Sequence, residues 1–201
     1  MDFSKTPIVE LAAIVAENLQ QHGIDVVLVG GLAVEIYSDN LYLTNDIDMV
    51  NTNYSKPADL HKAMGEIGFR KQGRVYVSDT TDITVEFPPG PLSVGDDFIT
   101  STTIAKVARG VIPILLIEDV VKDRLAAFMH WKDRQSLVQA MAILLKHRLK
   151  PTVFKKFCTR ENNVSDYELL EAFHRQAKVQ KIQTMESLES VLTQLLLNEI
   201  K

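Results

Sequence analysis

The sequence predicts an α+β (mixed α/β) fold, with an α/β part over residues 1–115 and a helical part over 116–201. Two observations carry the division. Up to residue 115, short β-branched runs alternate with segments of helical periodicity. From Glu118 onward only helical patterns remain. A third observation bounds the class. The 201 residues are 46% hydrophobic and 24% charged, the balance of a globular chain with a sizeable core.

The elements follow in order. Thr6-Pro7 has the form of an N-cap followed by proline at the first helical position. Ile8, Leu11, Ala12, Val15 and Leu19 then repeat at helical spacing, with a stop at Gly23. Residues 25–29 read as a short buried strand, and Gly30-Gly31 leads to a helix over 32–37. Residues 46–50 alternate acid and apolar side chains, which predicts a second strand. A helix over 57–66 ends before Gly68, and strands over 70–78 and 83–87 flank the turn formers 79–82. Pro88-Pro89-Gly90-Pro91 is loop, since proline supplies no ladder donor. Residues 102–108 and 111–116 pair around Arg109-Gly110. Helices are expected at about 118–131, 134–148, 152–159, 165–178 and 184–199, with capping-box spacing from Ser165 to Glu168.

The longest uncharged apolar stretch, Val26–Val34, is far short of the ~20 residues that span a bilayer, so no membrane segment is expected. The single cysteine, Cys158, forms no internal disulfide and is expected in the core; a reducing cytoplasm is the expected setting. Charge is unevenly distributed. Lys122–Arg160 holds ten basic residues and only two acids, Asp123 and Asp133. That segment is either a set of solvated helix faces or a surface that meets phosphates.

Three features of the first part bear on chemistry. Gly30-Gly31 lies between a strand and a helix, where the missing Cβ and the helix N-terminus favour a phosphate. Strand-to-helix turns also use glycine for geometry alone. Asp46-Ile47-Asp48 places two carboxylates on one strand face, because i and i+2 share a face. Such a pair repels unless a cation neutralises it, and Mg²⁺ prefers carboxylate oxygen; two solvated acids on an open strand are the alternative. Glu86 shares a face with Thr84, opposite Ile83, Val85 and Phe87, and completes a trio of acids if its strand adjoins the one bearing Asp46 and Asp48.

The order of these features resembles the polymerase-β-like nucleotidyltransferase superfamily. The stretches 27–37 (VLVGGLAVEIY) and 43–50 (LTNDIDMV) look most like the AbiEii-type nucleotidyltransferases of bacterial toxin–antitoxin systems and their uncharacterised relatives. Residues 121–136 (VKDRLAAFMHWKDRQS) are similar to that group's helical motif. The chain departs from the AbiEii pattern at Leu32, where serine is frequent, at Tyr42, where arginine is, and at Ser136, where a further aspartate is.

The resemblance implies a nucleotidyltransferase-type mixed sheet flanked by helices, followed by a C-terminal helical bundle. It implies transfer of a nucleoside monophosphate from an NTP to an acceptor. Asp46, Asp48 and Glu86 would be the catalytic residues and the ligands of a two-metal Mg²⁺ site. Gly30, Gly31, Thr44, Lys122 and Lys132 would bind nucleotide. The acceptor would be an RNA such as the tRNA 3′ end, a protein or a small molecule, and a cognate antitoxin would be a partner. The competing expectation is a module of the same fold that binds nucleotide, or serves as an antitoxin-like partner, without turnover.

Overall fold

Short β-branched strands form the centre of the first part, and amphipathic helices cover it. The computed structural model describes residues 1–161 and 164–199. By contacts the chain divides into one unit of Met1–Ile36 with Leu43–Leu116, and a second of Tyr37–Tyr42 with Ile117–Lys201.

In the first unit, α1 (Ile8–Gln21) leads to β1 (Val26–Val29), α2 (Gly30–Ser38), β2 (Asp46–Asn51) and α3 (Pro57–Glu66). Then come β3 (Arg70–Gln72), β4 (Val75–Ser78), β5 (Thr81–Glu86), a small ribbon of β6 (Ser93–Val94) and β7 (Asp97–Phe98), and the pair β8 (Thr102–Val107) and β9 (Gly110–Leu115). Seven strands form one mixed sheet in the order β3-β4-β5-β2-β1-β9-β8. β1 runs antiparallel to β2 and parallel to β9, and β2 runs parallel to β5. The most apolar strand, β1, is central, as a strand buried on both faces must be. Helix α1 packs on β9, β1 and β8 and against α3. Ile47, Met49 and Val85 on one face are fully buried.

Several expectations need correction. Helix α1 begins at Ile8, with Pro7 at the cap position and no side-chain cap from Thr6. Helix α2 begins at Gly30 rather than Leu32, because Gly30 itself takes the bend at φ +66°. The single strand foreseen over 70–78 is two, since Gly73 at φ +64° turns the chain between β3 and β4. Ser78 pairs with Thr81, so the next turn needs only Asp79 and Thr80, and β5 starts earlier than its apolar pattern suggests. The ribbon β6–β7 went unforeseen because two-residue strands carry no periodicity.

The second unit is helical: α4 (Ile117–Trp131), α5 (Arg134–Lys146), a 3₁₀ turn at Pro151–Phe154, α6 (Lys155–Arg160), α7 (Val164–Val179) and α8 (Met185–Glu199). Leu125, Leu137, Met141, Leu144, Phe154, Phe173 and Leu192 form its interior. Asp133 caps α5, accepting from the Gln135 N–H at 3.0 Å and the Ser136 hydroxyl at 2.7 Å. Ser165 lies inside the first turn of α7, which begins at Val164, so its box spacing does not mark the cap. Trp131, at the end of α4, is 81% exposed, while His130 Nε2 meets Glu161 at 2.7 Å. Cys158 is buried in the core, and burial pushes its thiol up to about 12, so it holds no thiolate at neutral pH. Among the described residues no helix is long and apolar enough to cross a membrane.

Candidate active site

Register brings the acids together. Asp46 pairs with Thr84 and Asp48 with Glu86 across the parallel strands β2 and β5. Partners in a parallel ladder share a face, so Asp46, Asp48, Thr84 and Glu86 lie on one side of the sheet. Asp46 is exposed, while Asp48 and Glu86 are half-buried. The Thr84 hydroxyl donates to Asp46 Oδ1 at 2.7 Å. Arg74, at the turn between β3 and β4, reaches Glu86 Oε1 at 3.2 Å. Among the described residues no three His, Cys, Asp or Glu side chains stand close enough together to hold a metal ion as they are. The backbone therefore places three hard oxygen donors on one face, and Glu86 is paired with Arg74.

The β1–α2 turn adjoins this face. Val29, the last residue of β1, pairs with Asp48, so Gly30 follows directly beside the Asp48 side chain. A Cβ on Gly30 would collide with Asp48 Oδ2 and would stand 3.1 Å from Cγ and 3.2 Å from Cβ of that residue. Glycine is required here twice, by its positive φ and by the carboxylate against it. Gly31 opens α2 together with Gly30.

The approach to β2 is fixed by a buried acid. Glu35, 5% exposed on α2, accepts the Thr44 N–H through Oε2 at 3.0 Å, and Thr44 Oγ1 accepts the Asp46 N–H at 3.2 Å. Thr44 thus acts on the backbone that presents Asp46. Burial pushes the Glu35 carboxyl up from its ordinary value, against the Thr44 hydrogen bond, which pulls it down. An acid whose folded pKa is raised contributes stability below its unfolded value and loses it as pH rises through the folded one. Glu35→Gln keeps an acceptor for Thr44 and removes that loss. Its melting temperature relative to wild type is therefore expected to climb as pH rises above the ordinary carboxylate range. Thermal melts across that rise check the sign, and a constant difference refutes it.

Lys122 and Lys132 both lie in the second unit. Lys122 Nζ pairs with Asp119, a buried acid one turn earlier, at 2.7 Å. Lys132 takes a left-handed backbone after α4, pairs with Asp166 at 2.9 Å and lies 5.3 Å from the centre of the Phe128 ring. Three further residues support the acid-bearing face, and the sequence signals them unequally. Thr84 was legible from its alternation with Glu86. Glu35, a lone acid at the end of an apolar run, gave a weak signal. Arg74 gave none, because its reach depends on how the hairpin turns.

Residues 9–75 match a family model described as nucleotidyl transferase of unknown function (DUF2204). The match covers about a third of the chain and includes Gly30, Gly31, Asp46 and Asp48, but not Glu86. No curated protein matches the chain in sequence. Two solved structures of the antibiotic-resistance factor ANT(2″)-Ia are similar in outline. Its solution structure has a TM-score of 0.42 at 15% identity, over 89% of this chain and 95% of that one. Its crystal structure in complex with adenylyl-2″-tobramycin has a TM-score of 0.45 at 12% identity, over 82% and 94%. Likeness at that level fixes neither a substrate nor a residue.

Proposed function

We propose that the chain is a nucleotidyltransferase, moving a nucleoside monophosphate from an NTP to an acceptor and releasing pyrophosphate. The observation that supports it most is the register of β2 on β5, with Asp46, Asp48 and Glu86 on one face beside the Gly30 turn. The family match over residues 9–75 supports the same reading.

In this reading Asp46, Asp48 and Glu86 hold Mg²⁺, as two metals or one, and their chemistry as hard oxygen donors fits that ion. A bound Mg²⁺ supplies charge neutralisation on the triphosphate and a lowered pKa for the attacking hydroxyl. The chain's own residues do the rest. Gly30 and Gly31 open a helix N-terminus beside the acids and let phosphate approach backbone N–H groups. Thr84 orients the Asp46 carboxylate, and Glu35 through Thr44 fixes the start of its strand. Lys122 and Lys132 are the phosphate-binding candidates of the second unit and act only by exchanging their carboxylate partners for phosphate. The acceptor is an RNA end such as that of tRNA, a protein or a small molecule. The AbiEii likeness adds a cytoplasmic toxin role restrained by an antitoxin.

The test is to incubate the protein with each labelled NTP, Mg²⁺, total RNA, cell protein and small polyhydroxylated amines in separate arms. Label is expected on one acceptor class, and growth arrest on expression is expected if the role is toxic. A second reading has one observation in its favour: the acids are not gathered into a metal cluster, and Glu86 is engaged by Arg74. A nucleotide-binding module without turnover would bind NTP and label nothing in any arm.

Arg74 offers a further check on the acids. Its side chain is 88% exposed, so its pair with Glu86 contributes at most about 1 kcal/mol. Arg74→Ala removes a cation that competes for Glu86. Mn²⁺ affinity, read by calorimetry, is expected to rise by no more than about fivefold. Unchanged or weaker binding would show that Arg74 does not compete with the ion for Glu86.

A further inference from the structure

The second unit contains a basic cleft for which nucleotidyl transfer at the acid-bearing face gives no role. It has a volume of about 760 Å³ and lies where the C-terminal ends of α5 and α7 meet α8 and the segment Tyr37–Tyr42. Lys146, Arg148, Lys178 and Lys181 line it, against a single carboxylate, Asp39. Lys146 pairs with Asp39 at 2.5 Å. Arg148 and Lys181 each follow a helix end in the left-handed conformation, at φ +56° and +52°. Leu41, Leu145 and Ile182 give the same cleft an apolar lining.

Helix-end stabilisation accounts for part of this pattern, because cations near a C-terminus offset the dipole. It does not account for all of it. Four cations and one carboxylate leave a side-chain charge of +3. Three helix C-termini, those of α2, α5 and α7, contribute about half a negative charge each, so a surplus of about +1.5 remains. A cavity of this size is in the range of small-molecule sites. Concentrated positive charge beside apolar surface suits a ligand that is anionic at one end and flat and apolar at the other.

We propose that this cleft binds a nucleoside phosphate, with the phosphate held by Arg148, Lys178 and Lys181 and the base against Leu41, Leu145 and Ile182. The same chemistry is offered by a free nucleotide and by one residue of an RNA strand. The proposal does not rest on the transferase reading, because the site lies within the second unit and its occupancy is measured without turnover.

The experiment uses the whole chain in EDTA at 100 mM salt. A fluorescent single-stranded oligoribonucleotide is followed by anisotropy, and a nucleoside 5′-monophosphate by calorimetry. Binding of either supports the proposal. The mononucleotide arm identifies a free-ligand site, and binding of the strand alone identifies a strand site. Lys178→Glu with Lys181→Glu, both exposed, is expected to weaken binding by at least about tenfold without altering the melt. The paired control Lys62→Glu with Lys106→Glu, exposed in the first unit, is expected to leave it unchanged. An abasic strand is expected to bind more weakly than the intact one. The proposal is overturned if neither ligand binds, if the control pair weakens binding as much as the cleft pair, or if the abasic strand binds equally well.

Discussion

Asp48→Asn is expected to abolish transfer in whichever acceptor arm shows label, by a factor on the order of 10³ or more. The substitution is nearly isosteric. It leaves the strand pairing with Val29 and Glu86 untouched and removes one negative charge from the face where three acids meet. Metal ions contribute several kcal/mol to phosphoryl-type transition states, and each 1.36 kcal/mol is tenfold in rate. The melt should stay near that of wild type, and NTP-dependent Mn²⁺ binding should weaken in parallel with the rate. Activity within tenfold of wild type would remove Asp48 from the chemistry. Asp46→Asn is expected to lose activity as well. Here the Thr84 hydroxyl keeps an oxygen acceptor, so a loss would reflect charge rather than local misorientation.

Gly30→Ala is expected to give the largest stability loss of the single changes considered, about 2 kcal/mol, with loss of activity as a consequence. Two costs add. The residue holds φ +66°, where an L side chain is strained. The new methyl would also occupy the space of the Asp48 carboxylate. Chemical denaturation of the single variant measures the sum, and a double-mutant cycle separates the parts. In an Asp48→Ala background the collision with the carboxylate disappears and the backbone strain stays, so Gly30→Ala should cost less there. Equal costs in both backgrounds would show that the carboxylate yields freely and that backbone strain alone is responsible.

Much of the first unit was legible because its signals are local. Val26–Val29 is too short and too β-branched to be anything but a central strand, and the Asp46–Met49 alternation fixed which side chains share a face. Misreadings arose where one glycine or turn outweighs periodicity, as at Gly73 and at the early start of β5. At the site, Asp46 and Asp48 were readable as a pair from spacing alone. Glu86 was readable only conditionally, because alternation gives a face within a strand and says nothing about which strand lies alongside. Arg74 was invisible as a contributor and the buried Glu35 only weakly signalled, since their roles depend on through-space contacts. Trp131 erred in the other direction. A large aromatic at a helix end suggests packing, yet Trp131 is 81% exposed, with nothing among the described residues covering it.

By itself, then, the order of residues determined the element types, the change to helices near residue 116 and the shared face of Asp46 and Asp48, because each depends on backbone periodicity over a few residues. Only the folded chain decided that β5 lies parallel to β2 with Glu86 opposite Asp48, that Gly30 yields its space to that carboxylate, and that four cations from two helix ends line one cleft. Those relations join residues 18 to about 140 positions apart, and the burial of apolar side chains against the sheet and in the helical interior, rather than any local preference, sets which distant segments meet.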